Sequence, residues 1–441
     1  MRGAQIWSSL ILNVIQKKVL DFLNWLTLKV SFILLDLEFL DQHGQLNMAT
    51  LIVSSEHQQD EEEETNPCIV IVSGSGFIKA GFADDDAPRA VFSAIVGRPK
   101  HPTYHPSTHT GIMIGMDQKD AYVGNEAQSK RATLTLNHPI KHGIITHWDD
   151  MEKIWHHTFF NALRIDPEEY SILLSVPVLN PKANNERMMN SMFTCFNTLS
   201  VALVDSAILP LYCYEKRTTG IVISSDFDVT HTVAVVAGYV IPSSVRRLLI
   251  GSDDLTNYMY HKLLPERGYA FSGSGCERPM VGDIKDKLCY VSLDYESEMA
   301  AAETITEYVI QSDGNKIDVG NEMFRCPEVL FQPLHLGMDD LGIHEMVMAT
   351  GMSCVDKIDQ KKLFSSIVLS GKNCLFKGMA ARLSKELNLL LSAEMEVVVV
   401  NASEVNEPPN YDITTRAYST WIGGSIMSNS TAFQSRFVQR K

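Results

Sequence analysis

Cys68-Ile-Val-Ile-Val-Ser-Gly-Ser-Gly-Phe-Ile-Lys-Ala-Gly-Phe82 is an apolar run, a Ser/Gly turn and a second apolar stretch in immediate succession. The Ile and Val side chains of Cys68 to Val72 are stiff at χ1 and suit a pleated, buried surface, so this run reads as a short strand. Ser73-Gly-Ser-Gly76 reads as the turn and Phe77 to Phe82 as the returning strand, which together predict a β-hairpin. The design recurs downstream: Gly220-Ile-Val-Ile223 leads into Ser224-Ser-Asp-Phe-Asp228, and Val229-Thr-His-Thr-Val-Ala-Val-Val236 completes a second hairpin. Two such units on one chain imply two related halves. A Gly/Ser loop also has chemical potential, because backbone without Cβ approaches an anion closely and successive N–H groups form a concave nest for phosphate. Most loops of this kind only turn the chain.

Further along, Ser366-Ile-Val-Leu-Ser370 runs into Gly371-Lys-Asn, and Met395 to Val400 reads as another strand. Helical periodicity covers Asp149 to Leu163 and Met379 to Leu390. Strands alternating with helices predict an α/β protein. At 441 residues the chain exceeds the roughly 100–200 residues of one domain, so at least two are expected. Its 45% hydrophobic and 21% charged residues exclude collagen-like, mucin-like and wholly disordered classes. The net charge of −15 repels nucleic-acid phosphates and anionic lipid, so no nucleic-acid partner is expected and basic protein surfaces are. Eight cysteines without a CxxC pair read as reduced thiols.

Residues 1–66 differ in character and are expected to form an N-terminal extension. Ile6 to Leu40 is very apolar, but Lys17, Lys18, Asp21, Lys29 and Asp36 interrupt it, so neither a transmembrane segment nor a signal core fits. Asn13, Lys17, Asp21, Asn24 and Ser31 leave a polar stripe on an amphipathic helix. That helix reads either as a partner or membrane-surface element or as an appendage to a complete domain. An acidic run, Asp60 to Glu64, precedes the change of pattern at Pro67.

Ser75-Gly-Phe-Ile-Lys-Ala-Gly-Phe-Ala83, Asp85-Asp-Ala-Pro-Arg-Ala-Val-Phe92, Trp148-Asp-Asp-Met-Glu-Lys-Ile-Trp155, Phe324-Arg-Cys-Pro-Glu328 and Trp421-Ile-Gly-Gly-Ser-Ile426 together resemble actin, in unbroken order from about Cys68 to about Phe433. The resemblance implies an actin-like, duplicated ribonuclease-H-like two-domain α/β fold with a nucleotide cleft between the domains. It places the first domain at 67–213 plus 418–441, with a small subdomain at 92–138, and the second at 214–417, with a small subdomain at 251–338. It implies ATP or ADP with Mg²⁺ in the cleft, a cytoplasmic, cytoskeletal location, and filament contacts with actin or with copies of itself. Actin-binding proteins with basic surfaces are further implied partners. Gly111-Ile-Met-Ile-Gly-Met116 resembles the family's mobile subunit-gripping loop, and Phe331 to Met338 the start of its apolar plug. The chain stops at Lys441 without the family's final helices, an omission expected to expose apolar surface or loosen the first domain.

The departures fall where the chemistry should be. The family holds its metal through waters on an acid opening each hairpin loop and on a nearby glutamine, and these positions are Val72, Ser224 and Ser206 here. Asp205, Asp226 and Asp228 are the carboxylates near enough to serve as metal candidates, although Asp226 and Asp228 stand where the family has loop glycines. Those two read either as a solvated turn swung away from the cleft or as a rebuilt metal site, and Phe227 between them replaces a second acid. Gly74, Ser75, Gly76 and Lys79 match the family's phosphate contacts, Lys285 and Asp286 take the ribose side, and Gly371 keeps a glycine of the base pocket. Lys372 either fills space the adenine needs or pairs with phosphate as a new cation. For hydrolysis, Ser206 is too short to orient the attacking water as the family glutamine does. His231 matches the histidine behind that water, while a lone strand histidine is commonly a packed core residue.

The function expected from this reading is an actin-like cytoskeletal structural protein. It would be a filament subunit or filament-associated binding protein, its ATP site partly degenerate and its hydrolysis lost or weak. The alternatives are a Mg-dependent ATPase of the actin family with a rebuilt metal site, and a relaxed duplicate without a selected role.

Overall fold

Two sheets of matching design carry the chain. A computed structural model describes residues 67–83, 85–100, 119–214, 216–271, 277–309, 316–354, 356–400 and 409–440. The expected N-terminal extension at 1–66, with its helix and acidic run, and the expected mobile loop at 111–116 lie outside the described residues. The first sheet runs in the order Val438–Gln439, Ser200–Asp205, Ser171–Val176, Cys68–Ser73, Phe77–Phe82, Ala90–Ser93. The second runs Tyr239–Val240, Thr230–Val236, Gly220–Ser225, Ile367–Ser370, Val399–Val400, with Arg246–Leu248 paired to Thr230–Val236.

In each sheet the leading hairpin strand pairs antiparallel with its return strand and parallel with a strand that arrives much later. Cys68–Ser73 pairs with Phe77–Phe82 and Ser171–Val176, while Gly220–Ser225 pairs with Thr230–Val236 and Ile367–Ser370. The expected duplication is therefore a duplication of topology. Both expected hairpins form with the expected turns. The strand expected over Met395 to Val400 is shorter, only Val399–Val400. Val399 pairs with Ile367, whereas Glu396, with a charge to keep in water, lies before the ladder.

The continuous apolar runs follow from burial on both faces. Ile69 and Ile71 enter one core with Trp155, Phe159 and Met192, and Val70 and Val72 enter another. On the second sheet Ile221 and Ile223 pack with Leu255, Phe364 and Leu383, and Val222 turns the opposite way. The core holding Val70 and Val72 also takes in Val222, Val233 and Val368, so it belongs to both sheets at once. Trp421 sits in this shared core, fully buried, with its Nε1 donating to the Val70 carbonyl at 3.0 Å. The helix Pro409–Ser428 that carries it approaches Leu209 so closely that a Cβ at Gly423 would collide with the Leu209 carbonyl oxygen.

Helix Trp148–His156 continues as a π-helical turn over His157–Leu163, and Met379–Leu390 is helical as expected. A three-stranded sheet, Tyr122–Val123, Val96–Pro99, Leu134–Asn137, and a separate hairpin, Thr306–Val309 with Lys316–Val319, extend the two halves. Cys68, Cys289, Cys326, Cys354 and Cys374 are buried thiols, while Cys195 is exposed. Among the described residues no helix is long and apolar enough to cross a membrane.

Candidate functional site

The turns of both hairpins open onto one cavity of about 530 Å³. Its lining includes Gly74, Ser75, Gly76 and Lys79 from the first hairpin, Ser224, Asp226, Phe227, Asp228 and His231 from the second, and also Ser206, Lys285, Asp286 and Lys372. Asp205 and Gly371 do not line it. The sequence candidates are thus largely brought together, since the turns that follow the leading strands of both sheets line the same cavity.

The first loop is held by its own backbone and by a neighbour. Gly74 N donates to the Phe77 carbonyl at 3.0 Å, closing the turn, and Ser75 Oγ accepts from Gly143 N at 2.9 Å. Lys79 reaches the other way, donating from Nζ to the Ala417 carbonyl at 2.7 Å, with the Tyr418 ring 5.6 Å away. Burial lowers the Lys79 ammonium from its ordinary value, and the negative charge of Asp226 works against that shift.

The second loop is anchored, not swung away, which corrects one of the two expectations for Asp226 and Asp228. The Asp226 carbonyl accepts from Ser252 N at 2.8 Å and from Asn373 Nδ2 at 3.1 Å, and its carboxylate accepts from Ser224 Oγ at 2.8 Å. The Asp228 carboxylate accepts from His142 N at 2.6 Å, and its carbonyl lies 3.1 Å from His142 Nδ1. Gly371, with φ of 90°, packs behind this loop, where a Cβ would come within 2.9 Å of the Asp226 carboxylate.

Between the loops lies Phe227. A Cβ at Gly76 would stand 2.6 Å from Phe227 Cγ, so the phenyl ring rests directly on the glycine of the first loop. The other flank of the ring stacks on His138, with centroids 5.8 Å apart and planes 18° apart. Sequence reasoning counted Phe227 only as a lost acid. No local signal could place it on Gly76, since the contact joins distant segments.

The basic side chains of the cavity already have partners. Asp286 bridges Lys285 at 2.7 Å and Lys372 at 2.5 Å, and Lys285, 1% exposed, also donates to Ser252 Oγ at 2.8 Å. Lys372 lines the cavity with its ammonium paired to Asp286, an ion pair invisible until the two segments meet. Arg278 pairs with Asp253 at 2.5 Å, and Arg247 donates to the Val178 carbonyl. With His neutral, five basic and four acidic side chains line the space. Such a cavity is close to neutral.

Mg²⁺ with a triphosphate does not suit this donor set. Val72 is an apolar wall, Ser206 and Ser224 offer hydroxyls where the family resemblance calls for an amide and a carboxylate, and Ser224 is turned onto Asp226. Among the described residues no three His, Cys, Asp or Glu side chains gather as a metal cage. Burial raises the Asp205 carboxyl above its ordinary value, and Asp205 does not line the cavity.

His231 pairs with Ser224 and Arg247 across the second sheet, and its Nε2 is buried without a hydrogen-bond partner. Burial pushes its imidazole down to about 4, only partly offset by Asp226. An unfolded histidine titrates near 6.5, so between that value and about 4 the unfolded chain binds the extra proton. Stability is therefore full above this window and falls as pH drops through it, by about 3 kcal/mol from this group. His138, His157, His335 and His344 are shifted the same way by burial and add to the trend. Urea unfolding from pH 7 to pH 4.5 should show His231→Gln losing less stability on acidification than the unaltered protein. Parallel pH dependences would mean that His231 is solvated and protonates freely.

The family model described as Actin matches residues 63–441.

Proposed function

Because the chain belongs to the actin family, we propose that it is a cytoskeletal structural protein of the cytoplasm, a filament subunit or filament-associated binding protein in which ATP or ADP with Mg²⁺ binds weakly. In this reading the halves divide as 67–213 with 418–441, including the small subdomain 92–138, and 214–417, including the small subdomain 251–338. The observation that supports the proposal is that both hairpins form and that Val72, Ser206 and Ser224, the positions to which the resemblance assigns the family's metal contacts, line the cavity between them. In this reading the scaffold and Lys79 are kept, and the groups that would hold a metal against the phosphates are not. Phosphoryl transfer rests almost wholly on neutralising phosphate charge and on an oriented water, so hydrolysis should be lost or weak.

The filament part follows from the family's body plan, in which a heterologous contact that does not close on itself propagates. Its partners would be actin, further copies of this chain, or actin-binding proteins with basic surfaces that answer the net charge of −15. The rebuilt-ATPase reading draws on Asp226 and Asp228, both of which line the cavity.

Calorimetric titration of the full chain with ATP, with Mg²⁺ and then with EDTA, separates the two. The expected result is no magnesium-dependent binding at micromolar concentrations. Tight, magnesium-dependent binding would overturn the weakened site and make hydrolysis worth measuring. Cosedimentation with preformed actin filaments tests the structural half independently, and neither copolymerisation nor association would remove it.

A further inference from the structure

We infer that Phe227 is a built-in plug: its side chain takes the place of a phosphate between the two hairpin loops and holds the cleft closed without nucleotide. The inference rests on the weakened-site reading and adds what occupies the site instead. Three sets of contacts lead to it. First, the phenyl ring lies on Gly76, with a Cβ there placed 2.6 Å from Phe227 Cγ, so the apolar ring covers backbone that a bound anion would need. Second, the plug is clamped from outside, since the ring stacks on His138 and the next residue, Asp228, accepts from His142 N at 2.6 Å. Third, the loop behind it is fixed, because the Asp226 carbonyl takes Ser252 N and Asn373 Nδ2, and the Phe227 carbonyl takes Asp253 N at 2.8 Å.

The physical logic is substitution of one bridge by another. A ligand held by two loops stabilises the closed arrangement by mass action and releases it when it leaves. A side chain that makes the bridge is present at an effective concentration no free ligand matches, so closure ceases to depend on ligand supply. The ion pairs of Asp286 with Lys285 and Lys372 act in the same sense, as cations that would otherwise face an anion are neutralised internally. A protein built this way keeps one cleft geometry whatever the nucleotide level, and its partners meet a surface of fixed shape.

Hydrogen exchange on the full chain without nucleotide tests this. In the unaltered protein, peptides spanning 73–79 and 224–231 should exchange slowly, at a rate unchanged by EDTA, ADP or inorganic pyrophosphate. Phe227→Ala should speed exchange in both peptides by about tenfold or more, while the Met379–Leu390 helix exchanges as before. Phe227→Leu, which keeps an apolar side chain but cannot stack, should lie between them and guards against failure of the alanine variant to fold. Equal exchange in all three proteins, or fast exchange in the unaltered protein that slows on adding nucleotide, overturns the plug. The two readings separate. No ATP binding with an indifferent Phe227→Ala would remove the plug and leave the weakened site, whereas tight Mg-ATP binding to the unaltered protein would remove both, since a phosphate and the phenyl ring cannot share the place on Gly76.

Discussion

Replacing Asp226 and Asp228 by glycine is expected to tighten ATP binding by on the order of a hundredfold per aspartate. Both side chains line the cavity, and neither has a basic side chain as its hydrogen-bond donor: Asp226 takes the Ser224 hydroxyl and Asp228 the His142 amide. Like charges about 5 Å apart at an effective dielectric near 20 repel by roughly 3 kcal/mol, so each carboxylate opposes each phosphate charge by that order. The substitutions should not be neutral for folding. Each removes an anchoring contact, and glycine enlarges the freedom of the unfolded chain, for a loss of about 1 kcal/mol per site.

The gain in affinity should grow in a Phe227→Ala background, where the ring no longer has to yield its position, and a double-mutant cycle would measure that coupling. Calorimetry with ATP at fixed Mg²⁺ is the measurement. If the aspartates were metal ligands, affinity would instead collapse, and the loss would appear only when magnesium is present.

The second large effect concerns stability. Arg382→Leu is expected to destabilise the fold by about 3–5 kcal/mol, because it strands a buried carboxylate. Glu328 is fully buried, and Arg382 Nη1 and Nη2 reach its two oxygens at 3.3 and 3.2 Å. The same guanidinium donates to the Ser292 carbonyl at 2.7 Å and, through Nε, to Glu386 at 2.6 Å. One side chain thus ties the Met379–Leu390 helix to the Glu322–Glu328 helix and to the chain near Ser292.

Even with this partner, burial raises the Glu328 carboxyl above its ordinary value. Without the arginine the folded value should rise further, so the folded state would hold a proton that the unfolded state releases. Acidification then favours folding at this site, and the gap between variant and unaltered protein should shrink as pH falls from 7 toward 5. Thermal midpoints should differ by on the order of 10 °C at neutral pH. A gap that stays constant with pH would mean that Glu328 finds another partner. Replacing Glu328 and Arg382 together with leucine should recover much of the loss, since the uncompensated charge is then gone.

The hairpins were legible because their information is local. Five stiff or apolar residues followed by Ser-Gly-Ser-Gly can do little but turn, and the same pattern at Gly220 exposes the duplication without any contact being known. Val72, Ser206 and Ser224 are single positions in the same frame, and in the structure they line the cavity with an apolar side chain and two hydroxyls. Other readings failed for an identifiable reason. The swung-away turn assumed that two aspartates seek water, yet His142 N and Ser224 Oγ satisfy them inside the cavity. Met395 to Val400 looked like one strand, but only Val399–Val400 has a partner strand beside it.

By itself the sequence determined the α/β class, the two hairpins and the family. These follow from residue identity, hydrophobic period and turn chemistry over short stretches. Only the tertiary structure decided what became of the cleft. Phe227 on Gly76, Lys372 on Asp286 and Asp228 on His142 each join residues distant in the chain. Whether a side chain repels a ligand, replaces it or neutralises a neighbour depends on which groups lie within a few ångströms, and the packing of two sheets on a shared core sets those distances.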